Sequence, residues 1–386
     1  MMRDLVFLAI SMFTWGMGEG MFLYFQPIYL KELGADPIRI GAILGGFGLM
    51  MVVSHIPAGY LADRVGRKPV LVSAWVIGLV ATWIMAFAQS LPVFIVGLFI
   101  YGFTMFVMSP LNSYITAARG RLSVGRAITL ISASFNLGMV LGPWLGGQVG
   151  QQFGLRQNYI IAGFLLMVST VIVLFLHPQP IERASHAESA NGWLREQRYW
   201  YYVGAILLAA FAMYLPQPLA PNFLVEQRNL SLEQTGLLYS VTSLGVVILN
   251  LILGSFHART GFLIGQAAVG VYALILWQAV GLPWYVLGFL LLGGFKTARS
   301  LGIAQVRELV PQAKIGLAYG LTETVGGIAV ILAPLLAGYL YTQQPSWMFA
   351  LSAGLIGISI LVSARFSPTH QATPEQAPPI PSSTTE

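Results

Sequence analysis

Gly59-Tyr60-Leu61-Ala62-Asp63-Arg64-Val65-Gly66-Arg67-Lys68 places one acid and three cations in a short segment between two apolar runs, at residues 38–61 and 70–88. Runs of that length match the roughly 20 residues a helix needs to cross a bilayer core about 30 Å thick. The charged decapeptide therefore reads as a tight turn joining two membrane-spanning helices. Gly59 and Gly66 permit close backbone approach there. Asp63 can accept from the N-terminus of a neighbouring helix and pair with an arginine.

The pattern continues outward along the whole chain. Further apolar runs fall near 5–30, 91–116, 126–150, 158–176, 200–224, 232–256, 261–279, 283–306, 314–341 and 346–364. Twelve spans with short loops almost exhaust the 386 residues and leave no room for a catalytic domain outside the membrane. Composition agrees, with 56% hydrophobic residues, 9% charged residues and a mean hydropathy of +0.73, where a soluble chain has about 25% charged residues. The net charge of +6 thus reports topology and gives no indication of nucleic acid. With the N-terminus cytosolic, the inner side holds Arg3, Arg64, Arg67, Lys68, Arg119, Arg121, Arg126, Arg183, Arg195, Arg198, Arg259, Arg307, Lys314 and Arg365. The outer loops hold only Lys31, Arg39, Arg156 and Arg228, so the positive-inside rule predicts that both ends are cytosolic. The first run is too long for a signal-peptide core and is expected to stay as helix 1. Cysteine is absent, which excludes disulfide and thiol chemistry.

Residues 177–199 form the longest polar interval and divide the chain into a six-helix bundle at 1–176 and another at 200–366. Trp193, Tyr199, Trp200, Tyr201 and Tyr202 read as an interfacial anchor at the entrance to the second bundle. The tail 367–386, rich in Pro, Ser and Thr, is expected to be disordered. A shift of 191 residues superposes Pro143 on Pro334, Leu141 on Leu332, Leu145 on Leu336 and Gly147 on Gly338. Duplicated six-helix halves place a cavity between them near the bilayer midplane.

The decapeptide closely resembles the GxLaDRxGRK signature of the major facilitator superfamily, and the six-plus-six layout extends the resemblance over the chain. The resemblance implies an all-α polytopic membrane protein of 12 helices, working as a secondary transporter by alternating access. It also implies that Asp63 meets the start of helix 11 and Arg119, with Gly59, Arg64, Gly66, Arg67 and Lys68 completing a gate. Gly138, Gly142, Pro143, Gly146 and Gly147 on helix 5 look like the antiporter motif of the family's drug exporters, which suggests proton-coupled export. Helix 4 departs from many such exporters, since Leu98–Gly102 carries no arginine followed by Gln-Gly.

Ionisable groups inside a bilayer cost about 2.5–3.5 kcal/mol each and are functional candidates by default. Glu19, flanked by Gly18 and Gly20, is the candidate proton or cation carrier, with the glycines leaving room for a ligand. Lys296 and Arg299 lie one turn apart on helix 10, at a depth where either could pair with Glu323. Gln26, Tyr101 and Gln217 are further candidates for the cavity wall, and His55 is read as a packing residue. No P-loop, metal-ligand cluster, dinucleotide fingerprint or nucleophile elbow occurs, so no cofactor, metal or enzymatic activity is expected. The expected partners are a small amphipathic substrate, protons and the lipid bilayer, with the chain a monomer in the cell membrane. The alternative is symport or facilitated uptake of a small anionic metabolite or sugar.

Overall fold

The structure, a computed structural model, describes residues 2–178, 196–310 and 315–368, without the side chains of residues 2, 55–65, 109 and 316. The helices of the first half are α1 (Met2–Leu23), α2 (Gln26–Glu32), α3 (Pro37–Val65), α4 (Arg67–Phe87), α5 (Leu91–Phe103), α6 (Met108–Ala118), α7 (Val124–Phe153) and α8 (Leu155–Leu174). The second half holds α9 (Gln197–Tyr214), α10 (Ala220–Gln227), α11 (Leu232–Leu253), α12 (Ala258–Gln278), α13 (Leu282–Leu292), α14 (Gly294–Ala304), α15 (Ile315–Gln343) and α16 (Trp347–Phe366). Taking α1 with α2, α5 with α6, α9 with α10 and α13 with α14 as broken spans, each half has six. Among the described residues, ten spans are long and apolar enough to cross a bilayer, and α5 with α6, bent by 41°, is an eleventh. The twelfth by position is α9, whose first residues Gln197 and Arg198 lower its apolar content.

Punctuation residues set these boundaries. Gly66 and Gly154 adopt φ of 88° and 86°, so a single residue turns α3 into α4 and α7 into α8; a side chain there would be strained. Ser231 and Gln234 form a reciprocal capping box that starts α11. The breaks fall at equivalent places in the repeat, in the first and fourth spans of each half. Pro27 and Pro221, both in first turns, fit there because their missing N–H has no helical partner to lose.

The halves meet along two seams of the same design. Gly236 of α11 lies against the Pro143 carbonyl and Gly147 of α7, and Gly41 of α3 lies against the Pro334 carbonyl and Gly338 of α15. A proline frees the carbonyl four residues before it. The carbonyl freed by Pro143 belongs to Met139 and accepts from Ser243 Oγ of α11 at 3.0 Å. The one freed by Pro334 belongs to Val330, where a Cβ on Gly48 of α3 would sit 2.8 Å away. Close Cα–H to carbonyl contacts of this kind contribute about 0.5–1 kcal/mol each.

Both seams and the polar contacts between halves lie toward the end of the bundle away from where α1 begins and α16 finishes. There Asn222 Nδ2 donates to the Pro27 carbonyl at 3.2 Å, Gln151 Oε1 accepts from the Leu232 amide at 2.9 Å and Gln148 Nε2 donates to Glu233 Oε1 at 2.5 Å. Lys31 pairs with Glu226 at 2.8 Å across the halves, and within the second half Tyr341 OH donates to the same carboxylate oxygen at 3.2 Å. Toward the other end, Gly125 of α7 and Gly320 of α15 have nothing within 4 Å of an added Cβ. Among the described residues, the halves are joined at one end and parted at the end where α1 begins and α16 finishes.

Two local readings need correction. Gly18 and Gly20 leave no room for a ligand: a Cβ on Gly18 would strike Leu166 of α8 at 2.6 Å, and one on Gly20 would strike Pro143 of α7 at 2.9 Å. These glycines let α1 pack closely on α7 and α8. The aromatic cluster opening the second half divides in two. Tyr199 and Tyr202 are buried, with Tyr202 OH donating to the Gly302 carbonyl at 2.8 Å, whereas Trp200 and Tyr201 are exposed. Helix α9 also begins at Gln197, three residues ahead of the expected bundle start.

Candidate functional site

The site grows from the breaks in the spans. Glu19 stands on α1 just before its break and is 7% exposed. Its Oε2 accepts from Trp15 Nε1, one turn earlier, at 3.1 Å and from Tyr101 OH of α5 at 3.0 Å. Trp15 stacks on Tyr101 with centroids 6.3 Å apart, and Phe22 meets the same tyrosine edge-on at 5.4 Å. Both donors use one carboxylate oxygen, so Oε1 is free of them and can take a proton or a ligand donor.

The second half answers with charge. Lys296, in the first turn of α14 after the break at Gly293, is exposed within the parted space and interacts electrostatically with Glu19 across the halves. Thr297 Oγ1 donates to Asn250 Oδ1 at 2.7 Å and ties this turn to α11. Arg299, one turn on, forms a charge-assisted bond with Glu323 of α15. Side-chain exposures of 40% and 43% leave that pair open to solvent in the cavity. With Glu19 ionised the four groups sum to zero; with Glu19 protonated they carry one positive charge.

Aromatic rings complete the walls. Tyr24 of the α1 break stacks on Tyr239 of α11 at 4.2 Å and 14°, closing the floor on the sealed side. Tyr214 stacks on Phe295 at 5.9 Å, next to Lys296. Flat rings beside a buried carboxylate suit amphipathic molecules and cations.

The sequence-based candidates thus divide. Glu19, Tyr101, Lys296, Arg299 and Glu323 converge on the parted space. Gln26 and Gln217 sit at the two equivalent breaks: Gln26 is 2% exposed with Nε2 unpartnered, and Gln217 Nε2 donates to the Met213 carbonyl of its own helix at 2.8 Å. Gly138, Gly142 and Gly146 pack α7 on α1, while Gly147 meets Leu232 and Glu233 across the seam. Arg119 is exposed and donates to the Thr116 carbonyl at 3.1 Å. Lys68 Nζ donates to the Leu174 carbonyl at 3.1 Å, tying α4 to the end of α8. The side chains of His55, Asp63 and Arg64 lie outside the described residues, as do 179–195 and 369–386. Tyr239 was missed because α11 is apolar on nearly all sides; its one signal is a tyrosine in the middle of such a run. Among the described residues no cluster of metal-ligating side chains is present.

Comparison with known proteins agrees with the fold. The tetracycline resistance protein, class B, of Escherichia coli is 23% identical, over 92% of this chain and 94% of that one. The probable galactarate/D-glucarate transporter GudP of Escherichia coli (strain K12) is 24% identical, over 86% and 85%. A crystal structure of a mutant of the nucleoside transporter NupG superposes with a TM-score of 0.83 at 16% identity, covering 94% of this chain and 99% of that one. The profile of the Major Facilitator Superfamily matches residues 8–261 and 202–386, and the chain belongs to that family of multi-pass membrane transporters.

Proposed function

We propose that the protein is a proton-coupled exporter that exchanges protons for a small amphipathic compound at Glu19. The observation that carries the reading is the buried carboxylate of Glu19, fixed by Trp15 and Tyr101 through one oxygen and within electrostatic reach of Lys296 of the other half. Proton and cationic or hydrogen-bonding substrate compete for the same group, and mutually exclusive binding is the condition for exchange. Similarity to the tetracycline resistance protein of Escherichia coli supports the export direction, and the arginine and lysine distribution supports cytosolic termini. On that orientation the parted end faces the cytosol, where an exporter loads. Asp63 with Arg119 would form the gate that closes this end after loading.

The experiment is proton flux in proteoliposomes under an imposed pH gradient, with lipophilic cations, neutral amphiphiles, sugars and organic anions added in turn. One compound class should dissipate the gradient through the wild-type protein and fail to do so through Glu19→Gln. Full coupled flux through Glu19→Gln would refute the assignment.

A second reading rests on Lys296, which makes no hydrogen bond or ion pair among the described residues. Protonation of Glu19 would leave this lysine as the dominant charge and favour entry of an anion together with the proton. Anion uptake that survives Glu19→Gln and is lost in Lys296→Ala would select this symport reading.

A further inference from the structure

We propose that the end of the bundle where α1 begins and α16 finishes holds a binding site for an anionic phospholipid headgroup, separate from the transport cavity. A cavity of about 740 Å³ opens where the start of α9, the start of α12 and the end of α16 come together. Arg198, Arg259 and Arg365 line it, one from each helix, and Glu196 is the one acid among the described residues of its wall. The lining therefore carries two net positive charges. Arg259 donates through Nη2 to the Ala364 carbonyl, which holds its guanidinium in place and leaves its remaining donors for an anion. Arginine presents planar paired donors that match two phosphate oxygens.

The rest of the wall fits the non-phosphate part of a lipid better than a free anion. Tyr201 and Phe366 lie 5.4 Å apart beside the arginines, and the Arg365 guanidinium stands 5.7 Å from the Phe366 ring. Leu361, one turn along α16 from Arg365, is 73% exposed, and Ile358 beyond it is 54% exposed. This gives a lipid-facing apolar track that runs from the basic cavity toward the middle of the span. Trp200 and Tyr201, also exposed, are residues that settle at the headgroup level. Helices α12 and α16 carry none of the Glu19 centre, so an occupant here would bind without entering the transport path.

The test is native mass spectrometry of the full chain released from nanodiscs with equal amounts of phosphatidylglycerol and phosphatidylcholine. The wild-type protein should retain phosphatidylglycerol roughly tenfold over phosphatidylcholine, and each arginine replaced should lower that preference roughly fivefold. Arg198→Gln with Arg365→Gln should abolish it, while Arg39→Gln at the opposite end leaves it unchanged. Arg365→Lys keeps the charge and should retain part of the preference, which separates loss of the site from loss of the fold. Equal retention of both lipids overturns the proposal. Displacement of phosphatidylglycerol by equimolar inorganic phosphate or glycerol phosphate also overturns it, and identifies a soluble-anion site instead.

Discussion

Glu226→Gln should loosen the sealed end by an amount the geometry sets. The Lys31–Glu226 pair is 2.8 Å long, with side-chain exposures of 49% and 24%, so screening holds its contribution to about 0–1 kcal/mol. Tyr341 donates to the same carboxylate at 3.2 Å. A hydrogen bond to a charged acceptor contributes about 1.5–3 kcal/mol and a neutral one about 0.5–1.5. The Tyr341 bond lies within the second half and does not cross between the halves, so loss of the Lys31 pair should weaken the sealed arrangement by about 0.2–1 kcal/mol. That corresponds to a rise of roughly 1.4- to fivefold in the population open at this end. The absence of native cysteine makes a clean reporter available. Thr235 of α11 is 0% exposed beside the seam, and its hydroxyl has no partner to lose. Thr235→Cys should react slowly with a membrane-impermeant maleimide applied to the sealed face, and faster by that factor when Glu226→Gln is added. Equal labelling rates in the two proteins would refute the clasp.

Other expectations follow from the same contacts. Gly236→Val should block closure at the α7–α11 seam, because even a Cβ collides with the Pro143 carbonyl; the Thr235→Cys reporter would then label at a high, substrate-independent rate. Arg299→Gln and Glu323→Gln should each reduce transport strongly yet alter thermal stability by less than about 1 kcal/mol, because the pair is open to solvent. The double variant should recover part of the activity lost by either alone, since neither charge is then left unpaired; transport assays of all three against wild type check this. Tyr101→Phe removes one of the two donors on Glu19 Oε2 and should shift the pH profile of transport, while Phe22→Leu beside it leaves that profile in place.

The layout was legible because apolar runs in a bilayer have few alternatives, and because Pro143 and Pro334 mark the same structural point in two copies. Buried charge was equally informative: Glu19, Lys296, Arg299 and Glu323 were singled out by cost alone, and the structure brings them to one space. Helix faces were not legible. In a uniformly apolar segment no periodicity reveals which side looks inward, so Tyr239 escaped notice and the burial of Gln26 and the bond of Gln217 to its own helix were not foreseen. Gly18 and Gly20 were misjudged for a related reason, since a small residue beside a functional group equally well admits a neighbouring helix. Tyr199 and Tyr202 read as interfacial from composition, whereas their hydroxyls reach carbonyls inside the bundle.

The freed carbonyl of Met139, capped by Ser243 from the opposite half, makes the seam's opening a hydration event. When α11 withdraws from α7, that oxygen loses its donor in a low-dielectric setting, at a cost of about 1–3 kcal/mol unless another donor arrives. Water is the one donor small enough to follow the retreating helix. The cycle of such a machine therefore includes wetting and drying of a backbone groove, and its opening rate should fall as osmolytes lower the activity of water.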